Sequence, residues 1–213
     1  MAGKREYGEA CPVAHSLDIV GDRWALLVAR ELRLGPKRFS DLQASLPRAG
    51  PNVLAARLRE LTESGVIVRR RLPPPAGSPV YQLTDWGAEL EPVFEALARW
   101  GMRSPVVKRE GRLSADSVML AVRSFFRPDQ PWTATYEFRL DADVYRVRVV
   151  DGELAELARG EPVDRPDARI EGDRMAVHEL IETGTVPDTV AITGDQNAVQ
   201  RLLAAVRIPG DAG

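Results

Sequence analysis

The stretch RFSDLQASLPRAGPNVLAARLRELTESGVIVRRRLPPPAGSPVYQLT, residues 38–84, decides the fold of the N-terminal half of this chain. It opens with a short helical segment that ends before Pro47, and a longer helical segment starts at Pro51. Proline suits the first position of a helix, where its missing N–H costs nothing. A basic strand, a proline-rich tip and a returning strand complete the stretch. The sequence therefore predicts two helices joined by a turn and followed by a hairpin.

The second of these helices has one apolar and one polar face. Leu54, Leu58 and Leu61 are spaced so that they share a buried face. Gly65 is predicted to end the helix in a left-handed conformation. The Ser40–Gln43 segment matches a capping box that would start the preceding short helix. The face opposite the leucines carries Asn52, Ala56, Arg59 and Glu63, and Arg57 flanks the buried stripe.

The hairpin is basic on its first strand. In an alternating strand Arg69 and Arg71 share one face and Arg70 lies on the other, so one face meets solvent or phosphate. Pro73 to Pro79 forms an exposed tip, because proline cannot continue a ladder of hydrogen bonds. Helix, turn, helix and hairpin in this order predict a winged helix-turn-helix, whose second helix can enter a DNA major groove. The alternatives are a solvated amphipathic helix and a solubilising strand edge.

Further helices flank this motif. A first helix is predicted from Cys11 to Val20. A second runs from Arg23 to about Leu34, with Asp22 as its cap. Thr84 is predicted to cap a long helical segment that reaches Met102, with Pro92 as a possible kink. The apolar residues assigned to the interior are Trp24, Leu27, Val28 and Leu32 in the second helix, and Trp86, Leu90, Val93, Phe94, Leu97 and Trp100 in the long segment.

The long segment is apolar over half of its circumference, more than one small domain usually buries. The excess predicts either a dimer seam or contact with a second domain of the same chain.

Residues 11–105 closely resemble the HxlR type of winged helix-turn-helix transcriptional regulator. The matching blocks are CPVAHSLDIVGDRWALLVAREL, RFSDLQASL, LAARLRELTESGVIVRR and VYQLTDWGAEL. The resemblance implies a homodimer with the terminal helices of the domain at the two-fold axis. Pro51 departs from the apolar residue that the family often has there. The resemblance implies recognition-helix contacts at Asn52, Val53, Ala56 and Arg57, and wing contacts at Arg69, Arg70 and Arg71.

The full set of predicted DNA contacts is wider than the resemblance implies. It adds Arg59, on the outward face of the second helix, and three residues at the start of the motif, Lys37, Arg38 and Ser40.

Cys11 is the only cysteine, so an intrachain disulfide and a cysteine zinc cluster are impossible. It stands where many members of the resembled family carry a cysteine, which some use to sense oxidants or electrophiles. Such a sensor needs an accessible thiolate of low pKa. A buried structural thiol and a redox sensor are both compatible with the sequence.

Charge is divided unevenly along the chain. Residues 1–113 hold 18 Lys and Arg against 13 Asp and Glu, a balance of +5, whereas residues 114–213 hold 11 against 18, a balance of −7. A basic half that meets a polyanion and an acidic half with another role are therefore predicted. Two fused domains that differ by chance would give the same numbers.

The second half follows an α+β pattern. An amphipathic helix with Val118, Met119 and Val122 is followed by strands, and the first strand alternates between a wet and a dry face. The predicted strands are Thr133–Leu140, Val144–Val150, Leu154–Ala158, Ala168–Glu171 and Val190–Ile192. Predicted helices run from Asp173 to Glu182, burying Met175, Val177, Leu180 and Ile181, and onward from an Asp195 cap, burying Val199, Leu202, Leu203 and Val206.

Residues 115–208 resemble a sterol-carrier-protein type 2 fold in this order of elements and in Pro166-Asp167, Gly172-Asp173 and Gly194-Asp195. That fold holds apolar ligands between its sheet and helices, and it also occurs as a structural appendage. The resemblance implies a sensor for a hydrophobic small molecule. Its lining would be Phe125, Phe126, Trp132, Tyr136 and Phe138, although such residues are also ordinary core residues.

An α+β protein in two domains follows from these patterns. A winged helix-turn-helix domain for DNA binding and dimerisation spans 1–105, a linker spans 106–114 and a sterol-carrier-like domain spans 115–213. An enzyme is not expected, because His15 and His178 lack nucleophile partners and no metal-ligand spacing, phosphate loop or dinucleotide fingerprint occurs.

The predicted function is transcriptional regulation, with repression favoured by resemblance alone. The partners would be double-stranded DNA, a second copy of the chain and a hydrophobic effector, with no cofactor. The alternatives are regulation through Cys11 with a purely structural second domain, and a protein-binding module without DNA affinity. No signal peptide or membrane-spanning run is visible, and a cytoplasmic location is expected.

Overall fold

The computed structural model of the chain describes residues 6–71, 73, 77–105 and 111–208. The chain forms two compact units, Met1–Glu91 and Pro92–Gly213. The division into domains at residue 105 and the linker over 106–114 remain predictions. Residues 106–110 of that linker, and residues 72 and 74–76 of the hairpin tip, lie outside the described residues.

The first unit has the predicted order of helices and strands. Its motif consists of two helices joined by a turn and followed by an antiparallel hairpin. This region is a winged helix-turn-helix. The elements are α1 Pro12–Val20, α2 Ala25–Glu31, α3 Phe39–Ser45, α4 Pro51–Glu63, β1 Ile67–Arg71, β2 Pro79–Leu83 and α5 Asp85–Ala88.

The core of this unit forms around the apolar face of α4. Leu54, Leu58 and Leu61 are at most 1% exposed, as their spacing predicted. Gly65 follows the end of α4 with φ +76°, which also matches the prediction. The same core contains Val20, Ala25, Val28, Leu32, Leu42, Leu46, Ala49, Val66 and Ile67.

Two predicted helix caps are wrong. Ser40 lies inside α3, and the helix begins two residues earlier than a cap at Ser40 allows. Asp41 Oδ2 instead accepts the backbone N–H of Arg38 at 3.0 Å, which satisfies a donor at the start of the helix. Asp22 does not cap α2 either, because Trp24 occupies the N-cap position in a left-handed conformation. Leu27, predicted to be buried, is 37% exposed because it lies on the outer side of the short α2.

The long helical segment after Thr84 is divided into two helices. Thr84 caps its start as predicted, with Oγ1 accepting the N–H of Gly87 at 3.0 Å. The helix breaks after α5, and α6 spans Glu91–Met102 with Pro92 in its first turn, where proline fits. Only Phe94 of the residues assigned to the interior is fully buried. Leu90 is partly buried, and the exposed ones are Trp86, Val93, Leu97 and Trp100.

The second unit contains a five-stranded mixed sheet. The strand order is β5-β4-β3-β6-β7, in which β3 and β6 are parallel and the other neighbours are antiparallel. Three helices pack against it, and α8 also contacts α7. The elements are α7 Ala115–Phe125, β3 Ala134–Leu140, β4 Asp143–Val150, β5 Glu153–Arg159, β6 Ala168–Gly172, α8 Arg174–Thr183, β7 Ala191–Gly194 and α9 Gln196–Ala205.

The predicted helices and strands of this unit are confirmed, with small shifts. Asp173 caps α8 and Asp195 caps α9, each accepting two backbone N–H groups. The last strand starts at Ala191 and reaches Gly194, two residues beyond the predicted end. Met175 is wrong as a core residue, because it is 45% exposed in the first turn of α8.

The prediction that one face of β3 is buried is confirmed, but the opposite face is not uniformly exposed to solvent. Glu137, predicted to face solvent, is 3% exposed. Its strand lies at the centre of the sheet, and Arg139 and Arg169 contact its carboxylate at 2.5 and 2.7 Å. The pattern of alternation could not reveal this, because it carries no information about neighbouring strands. The fold is thus α+β, with a winged helix-turn-helix and a unit of mixed sheet and helices.

Candidate nucleic-acid interface

The outward face of α4 presents the side chains that the helical spacing assigned to it. Asn52, Arg59 and Glu63 are exposed, and Ala56 is partly buried. Val53, which only the family resemblance implied, is also exposed. Arg59 forms no ion pair with any residue that the structure describes. Because the leucine face is fixed in the core, this polar face is the one that α4 can insert into a groove.

The first strand of the hairpin supplies three exposed cations. Arg69, Arg70 and Arg71 lie opposite Tyr81, Val80 and Pro79 in the antiparallel pairing. We expected one face of the strand to be exposed, but all three guanidinium side chains are. The strand extends away from the core beyond Ile67. Ile67 is buried, Val68 is partly buried, and the three arginines are exposed. None of the three forms an ion pair within the described part of the chain, so all are available to phosphate.

Hydrogen bonds fix the hairpin to the helices. Val66 N–H donates to the Leu61 carbonyl at 3.0 Å, so β1 follows directly from α4. Thr84 Oγ1 donates to the Gly65 carbonyl at 2.7 Å, which ties the end of β2 to the end of α4. The two basic elements are therefore joined through short backbone links and not through a loose loop.

Lys37 is not a surface cation, which corrects its assignment as a DNA contact. Its side chain is 2% exposed, and Nζ lies 2.5 Å from Glu31 Oε2 and 2.9 Å from Ser45 Oγ. Its backbone pairs with Tyr81 of the hairpin, with N–O distances of 3.0 and 2.8 Å. A side chain held there cannot reach phosphate unless the ion pair breaks. Lys37 thus connects α2, α3 and β2.

Glu31 is the partner that holds Lys37 in the interior. Burial by itself raises the pKa of the Glu31 carboxyl, but the charges of Lys37 and Arg30 and their hydrogen bonds outweigh that effect. The resulting pKa is about 2. The carboxylate is therefore ionised at neutral pH, and the pair is a true ion pair. The sequence gives no sign of it, because Glu31 and Lys37 are separated by a turn.

The start of the motif offers one cation that sequence reasoning missed. Arg38 and Ser40 are exposed as predicted, at the beginning of α3. Arg48 is also exposed, in the turn between α3 and α4, and it forms no ion pair with the described residues. The sequence could have indicated Arg48, because a cation in that turn lies next to the start of the helix that is predicted to face DNA.

Arg57 differs from the other arginines of the motif. Its side chain is only 18% exposed and contacts the carboxylate of Asp22, and its Nη1 lies 2.7 Å from Glu60 Oε2. The structure therefore keeps it at the edge of the core, where the sequence had it flanking the buried stripe.

Cys11 is exposed at the N-terminal end of α1. The backbone N–H groups of Ala14 and Val13, at the start of α1, lower the pKa of its thiol below the ordinary value. Accessibility and a lowered pKa are the two properties that a reactive thiol needs. His15 is exposed in the same helix.

The five aromatic residues assigned to ligand binding form part of the core of the second unit. Each is at most 8% exposed. Trp132 Nε1 donates to the Tyr136 hydroxyl at 2.9 Å, and that hydroxyl donates to the Ala198 carbonyl at 2.8 Å. Phe126 packs against Trp132 with ring centroids 5.8 Å apart. Phe125 and Phe138 are buried by the sheet and its helices, so these side chains fill the interior that a ligand would need.

An open groove of about 500 Å³ lies at one end of this unit. Trp132 is the only one of the five aromatic residues that lines it. Its other walls carry two small apolar side chains, Ala204 and Ala205, and six polar or charged ones, which are Asp129, Gln130, Asp195, Asn197, Gln200 and Arg201. A groove of this composition does not match the apolar lining that was predicted.

Within the described residues, no group of three or more His, Cys, Asp or Glu side chains could hold a metal ion. None of the described helices is both long and apolar enough to cross a bilayer.

Comparison with known proteins assigns the first unit. The family model described as HxlR-like helix-turn-helix matches residues 19–107. The HTH-type transcriptional regulator sll1512 of Synechocystis is 36% identical over 96 residues, which cover 45% of this chain and 71% of that protein. This chain belongs to the HxlR-like helix-turn-helix family. It is a DNA-binding transcriptional regulator, and its relatives are regulators of this kind and not enzymes.

Another relative is the HTH-type transcriptional regulator YodB of Bacillus subtilis. It is 34% identical over 91 residues, covering 42% of this chain and 81% of YodB. The solved structure of the reduced form of YodB covers 46% of this chain and 97% of its own, with a TM-score of 0.41 and 31% identity. These matches span less than half of the present chain. The part of the second unit beyond residue 107 is therefore unassigned by them, and its sterol-carrier likeness is unconfirmed.

Proposed function

We propose that this HxlR-family regulator acts as a homodimeric repressor on a pseudo-palindromic operator. Two copies of α4 would enter successive major grooves about 34 Å apart. Asn52, Val53 and Ala56 would face the base edges, and Arg59 and the wing arginines would contact phosphate. Arg38, Ser40 and Arg48 would contact the backbone beside the start of α4.

One observation carries this proposal. The polar face of α4 and the three wing arginines are exposed and lie on elements joined by hydrogen bonds at Gly65 and Thr84. Arg59, Arg69, Arg70 and Arg71 are without ion pairs in the described part of the chain. Guanidinium groups that are not neutralised by the protein are suited to phosphate and guanine contacts.

Selection of bound sites from a random DNA pool, followed by titration of the selected site, tests this function. We expect affinity to fall steeply and linearly with log[salt], because phosphate contacts release counterions. Asn52→Ala should change the preferred sequence, since a side chain on base edges determines specificity. The proposal fails if the purified chain selects no site, or if its weak binding is insensitive to salt.

An exposed apolar stripe on α6 supports the dimer. Val93 and Leu97 are each 43% exposed and Trp100 is 71% exposed, at i, i+4 and i+7 of one helix. A second apolar surface lies on α1, where Val13 and Leu17 are 67% and 43% exposed. Side chains of this size at helical spacing suit a helix-to-helix interface between two copies.

Replacing Leu97 and Trp100 with glutamate should convert the dimer to a monomer. Two charges in an apolar interface have no partner there, and an unpaired charge is costly to bury. Light scattering after size exclusion measures the mass, and circular dichroism checks the fold. Substituting exposed Val163 in the same way is the control, because it is 96% exposed and lies outside both helices. An unchanged mass for the α6 variant would exclude this stripe as the interface.

A second candidate function is regulation through oxidation or alkylation of Cys11. The observation that favours it is the exposed thiol with a lowered pKa at the start of α1. If the thiol is the sensor, diamide or a quinone should release the wild-type protein from its selected DNA, and Cys11→Ser should stay bound. Equal release of both proteins would rule out this mode of control, in which the second unit has a purely structural role.

The hydrophobic effector of the second unit also remains a proposal, and it requires the aromatic core to open. Native mass spectrometry before and after lipid extraction is the direct test. An apolar molecule retained by the purified chain supports a sensor, and the absence of binding across a lipid panel favours a structural role.

A further inference from the structure

We infer that Arg57 is a positioning residue: it holds α4 to the Gly21–Trp24 turn through Asp22 and does not itself contact DNA. This inference rests on the proposed function and refines it. The family resemblance implied that Arg57 is a recognition contact, so the structure assigns this residue a different role.

The guanidinium of Arg57 is already occupied within the protein. Nη1 contacts the carboxylate of Asp22 and lies 2.7 Å from Glu60 Oε2. Nε is buried, with no hydrogen-bond partner among the described residues, so it cannot face a phosphate. This contrasts with Arg59, two residues further along the same helix, which is exposed and forms no ion pair in the described part of the chain.

The place of Arg57 on the helix agrees with this difference. At 100° per residue, Arg57 lies roughly 60° from Leu54, at the border of the buried stripe. It lies roughly 140° from Asn52 and 160° from Arg59, which point outward. A residue on that side of α4 faces the neighbouring helices of the motif and not the floor of a groove.

The turn that contains Asp22 is held in place by packing and by backbone hydrogen bonds. Trp24 has φ +79°, a left-handed conformation that is costly for a bulky residue and persists only where the surroundings enforce it. Its indole packs against the core of the first unit. Its carbonyl accepts the N–H of Val28 at 2.8 Å, and the carbonyl of Asp22 accepts the N–H of Ala25 at 3.0 Å. An ion pair to this turn therefore fixes one side of α4.

Charge gives an independent reason. Asp22 and Glu60 carry two negative charges and Arg57 one positive charge, so the cluster has a net charge of −1. A net negative cluster is repelled by DNA phosphate, whereas the isolated cations of the wing are attracted to it. DNA binding then depends on Arg57 through the angle of α4.

The salt dependence of DNA binding separates positioning from contact. With the full chain and its selected site, Arg57→Ala and Asp22→Ala should weaken binding by the same factor, and the double variant should be no weaker than either. The slope of log affinity against log[salt] should stay at the wild-type value. Arg59→Ala is the matched control, and its slope should be smaller by about 0.9 because a phosphate contact is lost. The exchange of both charges, Asp22→Arg with Arg57→Asp, should restore much of the affinity when Glu60→Gln is added, because the Glu60 carboxylate would otherwise repel the introduced one.

Two results would overturn the inference while leaving the proposed function intact. One is a slope reduced by about 0.9 in Arg57→Ala together with tighter binding by Asp22→Ala, which would make Arg57 a phosphate contact that Asp22 masks. The other is wild-type affinity in both single variants. Failure of the wild-type chain to bind any DNA would instead overturn the proposed function, and this inference with it. Should Arg57→Ala not fold, Asp22→Asn and the charge exchange give the same comparison.

Discussion

Glu31→Ala is expected to destabilise the first unit by about 3–5 kcal/mol, the cost of removing one partner from a buried ion pair. Glu31 is fully buried, and it lies 2.5 Å from the Nζ of Lys37, which is 2% exposed. Without the carboxylate, the ammonium group loses the charge that compensates its burial. Urea denaturation followed by circular dichroism measures the loss.

A double replacement separates the ion pair from simple packing. Glu31→Met with Lys37→Met removes both charges and keeps the volume, and it should be far less destabilising than Glu31→Ala. Glu63→Ala, an exposed carboxylate on α4, is the control for a change in net charge. If the control matched the loss in Glu31→Ala, the buried pair would not be the cause.

The same ion pair predicts how stability depends on pH. The pKa of Glu31 falls from an ordinary value of 4.5 to about 2 in the folded protein. A folded-state pKa that is depressed contributes stability above the unfolded pKa, and this contribution is lost as the pH falls through the folded pKa. The free energy of unfolding should therefore decline between about pH 4.5 and pH 2. The double variant Glu31→Met with Lys37→Met should show a smaller decline in that interval.

Replacing Arg69, Arg70 and Arg71 together with alanine is the second change with a large expected effect. If each arginine neutralises one phosphate, the slope of log affinity against log[salt] should fall by about 2.7, and affinity near physiological salt should fall on the order of a hundredfold. The loss should be similar for all DNA sequences, because phosphate contacts carry no sequence information. Fluorescence anisotropy with the selected site and an unrelated duplex measures both quantities.

The chain offers a control with the same change in charge. Arg112, Arg148 and Arg165 are exposed in the second unit and form no ion pair in the described part of the chain. Their triple replacement with alanine removes three positive charges from the second unit and leaves the hairpin unchanged. A loss of affinity equal to that of the wing variant would mean that net charge, and not the wing, governs binding.

The predictions differ in how local their physical causes are. The leucine face of α4, the start at Pro51 and the end at Gly65 depend on residues within one helix, and the sequence predicted all three. The capping of Thr84, Asp173 and Asp195 was equally predictable, because a cap involves residues only two or three positions away. The failed cap at Ser40 shows the limit, since Asp41 offered a competing local acceptor.

The candidate site was predictable in part for the same reason. The exposed positions of Asn52 and Arg59 follow from the periodicity of one helix. Val53 was implied by the family resemblance alone, and the exposure of all three wing arginines goes beyond what strand alternation predicted. Their contact with DNA stays a prediction. Lys37 could not be separated from these residues by any local pattern, because the carboxylate that buries it comes from a different helix.

The sequence by itself determined the winged helix-turn-helix, the amphipathic α4 and the order of helices and strands in the second unit, because these depend on spacing and capping along the chain. Only the tertiary structure decided which charged and aromatic side chains are buried or paired, because their partners are distant in sequence. It buried Lys37 against Glu31, covered Glu137 with Arg139 and Arg169, and paired Arg57 with Asp22. The physical reason is that desolvation and ion pairing depend on which elements pack together, and one-dimensional periodicity does not contain that information.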